Sequence, residues 1–190
     1  MVHFLENIHD DTIFMGMTDE IQPIFIPQCN SFPPNADSQA RILILGSMPG
    51  CESLRAVQYY AHPRNAFWKI AGILFQFDSS LPYEERLRCL REAHVALWDT
   101  LQQCRRAGSL DTHIRAPRPN DIPGLLKKCP KICRICCNGQ AAGQYLKKFF
   151  PEIGVEVRVL PSTSPAAAMF TFEQKLQIWR DALTLPCECE

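Results

Sequence analysis

From Arg41 onward, short apolar runs alternate with stretches whose apolar residues recur at helical spacing, and this alternation confines the chain to a parallel α/β architecture. Arg41–Leu45, Val95–Trp98, Ile132–Cys137 and Val155–Leu160 read as strands. Asn65 to about Phe75, Pro82–Arg91, Asn120 or Asp121 to about Lys128, Gln140–Phe149 and Phe172–Leu183 read as helices. Pro82 suits the start of a helix, and Asn120 or Asp121 can cap one. Phe172, Leu176, Trp179 and Leu183 fall on one helical face. Strands separated by helices pair in parallel, with helices on both faces of the sheet. The expected fold is α/β, a three-layer α/β/α sandwich around a central four-stranded parallel sheet. Residues 104–120, which include Gly108, Pro117 and Pro119, are expected to be a long polar loop.

The 190 residues fit one domain. Residues 31–186 are the expected domain, 1–30 a poorly structured extension and 187–190 a tail. No apolar run approaches the roughly 18 residues of a membrane span, so no membrane partner is expected. No basic start followed by an apolar stretch marks a signal peptide, and the chain is expected to be intracellular. Formal net charge is zero, but it is unevenly spread. Residues 1–40 hold six acids and no Lys or Arg, whereas Arg41 to Pro186 holds 20 basic and 12 acidic residues. A basic body with acidic ends suits a polyanionic partner. The ten cysteines are expected to be reduced thiols. Cys129, Cys133, Cys136 and Cys137 lack the two-pair spacing of a zinc site and fall in or beside a strand, so no metal or other cofactor is expected.

Two loops follow strands and should meet over the sheet's carboxyl edge, where α/β proteins bind ligands. The first is Gly46-Ser47-Met48-Pro49-Gly50 and the second is Leu160-Pro161-Ser162-Thr163-Ser164-Pro165. Between them in sequence lies Tyr59-Tyr60-Ala61-His62-Pro63-Arg64-Asn65-Ala66-Phe67-Trp68, dense in aromatic and amide groups.

On these segments the chain resembles the uracil-DNA glycosylase superfamily, in particular its DNA-deoxyinosine (hypoxanthine) glycosylase branch. The similarity runs from about Phe32 to Leu183 and extends to Val95-Ala96-Leu97-Trp98-Asp99, Pro119-Asn120-Asp121-Ile122 and Asn138-Gly139. It implies a metal-independent, monofunctional DNA repair glycosylase with its principal catalytic amide at Asn65. Some branches carry an Asp or Asn inside the first loop and others a His ahead of the second Pro-Ser. This chain has Ser47, Met48 and Pro49 in the first loop and Leu160 before the second, which favours the hypoxanthine branch.

Under that reading the partner is double-stranded DNA carrying a deaminated base, met by a monomer with access to DNA in cytoplasm, nucleoid or nucleus. A base is reached only by flipping it into a pocket. Gly46, Ser47, Met48, Pro49, Gly50, Tyr60, Phe67 and Asn138 are the candidate pocket. At the start of a helix, Phe67 and Trp68 are more often core residues than pocket residues. Arg64 and Pro161, Ser162, Thr163, Ser164 and Pro165 are the candidate DNA contacts. The Asn65 amide carries a donor and an acceptor that could match hypoxanthine O6 and N1–H, could position the attacking water, or could cap a helix. Two alternatives stay open: a mismatch-specific uracil or thymine glycosylase, and a non-enzymatic nucleotide- or metal-binding module. The Gly46–Gly50 loop has neither the Gly-x-Gly-x-x-Gly spacing nor the Lys-Ser/Thr of phosphate loops.

Overall fold

A computed structural model describes residues 26–184. In chain order its elements are β1 (Gln28–Asn30), β2 (Ile42–Gly46), α1 (Cys51–Ala56), α2 (Phe67–Phe75), α3 (Tyr83–Glu92), β3 (Val95–Asp99), β4 (Leu101–Arg105), β5 (Arg115–Pro119), α4 (Ile122–Lys128), β6 (Arg134–Asn138), α5 (Gln140–Phe149), β7 (Glu156–Leu160) and α6 (Phe172–Leu183). A short 3-10 turn at Asp111–His113 precedes β5.

The four expected strands form one parallel sheet in the order β3-β2-β6-β7. Every residue of β2, β3 and β6 is buried, as a parallel sheet covered on both faces requires. Leu43, Ile44, Leu45, Leu97, Ile135, Phe67 and Trp179 form the centre of the main core. The chain leaves β2 toward β3 on one side and later builds β6 and β7 on the other. A crevice therefore opens above the β2/β6 junction, where the strand order reverses. Register sets its floor: Gly46 pairs with Asp99, and Asn138 with Leu160.

The long loop expected over 104–120 is corrected by the structure. β4 and β5 pair antiparallel, and β4 also pairs with β1, giving a second sheet in the order β1-β4-β5. Only Leu101 and Cys104 of β4 are buried, so an apolar run is absent from a strand half turned to solvent. Pro117 and Pro119 lie in β5, an edge strand, where a missing N–H is tolerated. Leu101 and Cys104 join Cys29, Ile114 and Met48 in a smaller core. Met48 thereby anchors the first loop to the second sheet. β1 lies within the span assigned to the extension; residues 1–25 of that span, and the tail, are outside the described residues.

The last helix is stopped at its start by a capping box. Thr171 Oγ1 accepts from Gln174 N at 3.3 Å, and Thr171 N donates to Gln174 Oε1 at 2.9 Å. Its Trp179 donates from Nε1 to Pro161 O at 3.0 Å, which fixes the exit of β7.

Candidate active site

The two loops and the aromatic segment do converge. They enclose a cavity of about 290 Å³ at the carboxyl edge of the parallel sheet, near the lower end of ligand-site sizes. Gly46, Ser47, Met48, Pro49 and Gly50 line one side, and Ser162, Thr163, Ser164 and Pro165 the other. Tyr60, His62, Asn65, Asp99, Asp111 and Asn138 complete the walls.

Hydrogen bonding explains the first loop's shape. Thr100 N donates to Gly46 O at 2.8 Å, Leu101 N to Ser47 O at 3.1 Å and Leu54 N to Gly50 O at 2.9 Å. The buried guanidinium of Arg106 donates from Nη2 to Pro49 O. With four carbonyls so engaged, the loop offers the N–H groups of Ser47, Met48 and Gly50, which have no partner among the described residues.

The second loop is locked to β6. Asn138 Nδ2 donates to Thr163 Oγ1 at 2.8 Å, and Thr163 N donates to Asn138 Oδ1 at 2.9 Å. Gly139, at φ 100°, has Ser162 packed where a Cβ would stand, at 2.9 Å. Ala66 N donates to Thr163 O at 3.0 Å, so the same loop also grips the segment that carries Asn65.

Asn65 Oδ1 accepts from Phe67 N at 3.0 Å, at the start of α2. That bond assigns the amide orientation. The bond closes an Asx-type turn just ahead of α2, whose N-cap is Ala66, so Asn65 is not the helix cap; the residue does line the cavity. One lone pair of Oδ1 is thereby occupied, while the Nδ2 hydrogens have no partner among the described residues.

Phe67 is a correction. It is fully buried and absent from the cavity wall. Its ring stacks on Tyr60 at 4.0 Å and 25°, and meets Trp68 and Trp179 edge-on at 5.0 and 6.1 Å. Tyr60 is therefore the aromatic wall, with one face already covered. Its backbone, at φ 54°, is in the left-handed region rare for a bulky residue. Pro161 also lies outside the cavity wall, its carbonyl taken by Trp179. Arg64 is exposed and belongs to a neighbouring cavity.

Asp99 is the residue that sequence reasoning assigned no role. It ends β3 directly beside Gly46 and is 3% exposed. A Cβ on Gly46 would fall 2.5 Å from Asp99 Oδ1 and 3.2 Å from Tyr60 Oη, so glycine is required there for packing. Asp99 Oδ2 and Tyr60 Oη have no hydrogen-bond partner among the described residues. Burial pushes the Asp99 carboxyl up to about 8; Arg106 opposes this and Asp111 adds to it. Burial therefore favours the uncharged form of Asp99 at neutral pH. Burial, and then Asp99, also raise the Tyr60 phenol, so it stays protonated. Asp111 accepts from Ser47 Oγ at 2.7 Å and lies 3.9 Å from Arg106 Nη1. Its position at the end of a strand was the available signal for Asp99, because strand ends line the crevice.

Among the described residues, no three of His, Cys, Asp and Glu gather as a metal-binding group. Cys136 and Cys137 are buried in the core, and burial holds both thiols well above their ordinary range, up to about 12. No described helix is long and apolar enough to cross a membrane.

A profile of the Uracil DNA glycosylase superfamily matches residues 33–183. Hypoxanthine DNA glycosylase of Methanosarcina acetivorans is 39% identical over 141 residues, covering 74% of this chain and 89% of the relative. Hypoxanthine DNA glycosylase of Methanosarcina barkeri is 37% identical over 136 residues, covering 71% and 85%. A solution NMR structure of a candidate uracil DNA glycosylase from Methanosarcina acetivorans matches with TM-score 0.71 and 34% identity, over 82% of this chain and 99% of that one.

Proposed function

The chain belongs to the Uracil DNA glycosylase superfamily, and from that premise we propose that it hydrolyses the bond between deoxyribose and hypoxanthine in DNA. One observation carries the reading: Asn65, Tyr60, Asp99 and the Gly46–Gly50 loop line one cavity of about 290 Å³.

The cavity has a floor and a mouth. Gly46, Asp99 and Tyr60 Oη crowd together at the ends of the strands, while Asn65 and Ser164 also line a second cavity farther out. A nucleotide flipped inward places its base at the floor and its sugar beside Asn65. The neutral Asp99 carboxyl has one donor and one acceptor. That pair suits the adjacent N1–H and O6 of hypoxanthine, whereas an ionised carboxylate could only accept and would repel O6. The free face of Tyr60 can stack on the base.

Cleavage leaves positive charge on the sugar and negative charge on the base. The N–H groups of Ser47, Met48 and Gly50 face the leaving purine as oriented donors and stabilise its charge without reorganising. Asn65 Nδ2 orients the water that adds to the sugar cation, and the proton that water loses neutralises the departing hypoxanthine anion. No step calls for a lysine nucleophile, so the product is an abasic site in an intact strand.

The test is a set of duplexes carrying deoxyinosine, deoxyuridine or a G·T mismatch, each incubated with protein and then cleaved with hot alkali. Cutting should be strongest at deoxyinosine. Cutting at deoxyuridine alone would overturn the base assignment. Asn65→Ala should slow base release by about two to three powers of ten, the usual cost of one oriented donor.

A further inference from the structure

A second cavity, of about 220 Å³, adjoins the first and shares Asn65, Thr163 and Ser164 with it. Arg64 from a loop, Lys69 from α2 and Lys175 from α6 come together in its walls. No carboxylate lines it among the described residues. Lys175 is the informative member. It is only 6% exposed, and its Nζ donates to Ala167 O at 2.8 Å. An ammonium has three donors, so two remain for another partner. A lysine this enclosed is rare unless paired, and desolvation lowers its pKa. The N-cap Ala66 and first-turn Lys69 of the nine-residue α2 lie in the same wall, adding the positive pole of the helix. Ser164 Oγ accepts from Ala166 N at 3.3 Å, which leaves its hydroxyl proton to give.

We propose that this second cavity seats a phosphodiester of the DNA strand next to the extruded nucleotide, with Arg64, Lys69 and Lys175 as its cationic walls. Asn65 and Ser164 stand between the two cavities just as a sugar stands between its base and its phosphate. Lys69 and Lys175 are thereby DNA contacts on helices, beyond the two loops. The inference rests on the glycosylase reading for the identity of the strand.

The test pairs wild type with Arg64→Ala/Lys69→Ala, two exposed positions where alanine leaves the fold intact. Binding to undamaged duplex is followed by fluorescence anisotropy between 50 and 200 mM salt. The log–log salt slope of the variant should be shallower by about 0.9, the value of one phosphate contact. Single uncharged methylphosphonates are then placed around deoxyinosine. Wild type should lose affinity at one position, and the variant, which keeps only Lys175 of the three cations, should lose less there. An unchanged slope, or equal methylphosphonate losses in both proteins, overturns the proposal. So does a melting-temperature rise with inorganic phosphate that requires Arg64 and Lys69 while the DNA slope stays the same, because the seat would then hold free phosphate. Undamaged-duplex binding needs no excision, so a protein with the expected slope but no base release would sink the glycosylase reading and leave the seat standing.

Discussion

Asp99 should impose an alkaline limit on hypoxanthine release, and Asp99→Asn should remove it. The native carboxyl titrates at about 8 because burial disfavours its charged form. On that value about nine-tenths of the protein holds the neutral acid at pH 7 and about one-tenth at pH 9. If only the neutral acid engages N1–H and O6, kcat/KM for deoxyinosine duplex falls about tenfold per pH unit above 8. Asn at 99 keeps a donor and an acceptor without a titrating proton, so activity at pH 7 is retained and the limb near 8 disappears. Asp99→Ala removes both bonds and should cost about two to three powers of ten at pH 7. The substrate's lactam N–H also titrates in alkali, but equally for each protein, so comparing variants isolates Asp99. Single-turnover rates from pH 6 to 10 are the measurement.

Stability supplies an independent check with a definite sign. The ordinary Asp value is 3.8, so the unfolded chain loses this proton near pH 4, whereas the folded protein keeps it to about 8. Between those values the native state binds more protons, and stability falls as pH rises, by at most about 1.4 kcal/mol per pH unit. Above about 8 the Asp99 contribution to the slope ends. Asp99→Asn should flatten the melting temperature across this window. A wild-type rate that stays level to pH 9.5, or an Asp99→Asn limb identical to wild type, would refute the reasoning.

Three other outcomes follow from the same geometry. Gly46→Ala places a methyl 2.5 Å from Asp99 Oδ1, and should displace Asp99 and Tyr60 together, lowering base release in single-turnover assays. Asn138→Ala removes both of its bonds to Thr163, and should cost about 1–3 kcal/mol in urea unfolding while raising amide exchange in residues 162–164. Phe67→Ala empties a fully buried site beneath Tyr60, and should cost about 3–5 kcal/mol by thermal or denaturant melting.

Where a single physical pattern governs a segment, the sequence was readable. The four core strands and the helices at Gln140–Phe149 and Phe172–Leu183 came from apolar periodicity, which survives any arrangement of neighbours. Boundaries elsewhere moved by a residue or two, as fraying ends do. β4 and β5 were missed because half-exposed strands with Arg, Gln and Pro carry little apolar signal; their pairing with each other and with Cys29 supplies the stabilisation. At the site, proximity of the two loops was legible because strand ends in a parallel sheet share one edge.

The amino-acid order alone determined the layered α/β plan and the chemical types available at the sheet's edge, because both follow from local spacing. Tertiary packing alone decided what each group does there. Phe67 became a buttress because α2 turns that face inward, and Asn65 surrendered its oxygen to the helix start. Register set Asp99 against Gly46, away from water, and that burial is what raises its carboxyl. Burial and charge neighbours are properties of three-dimensional contact, and no local pattern encodes them.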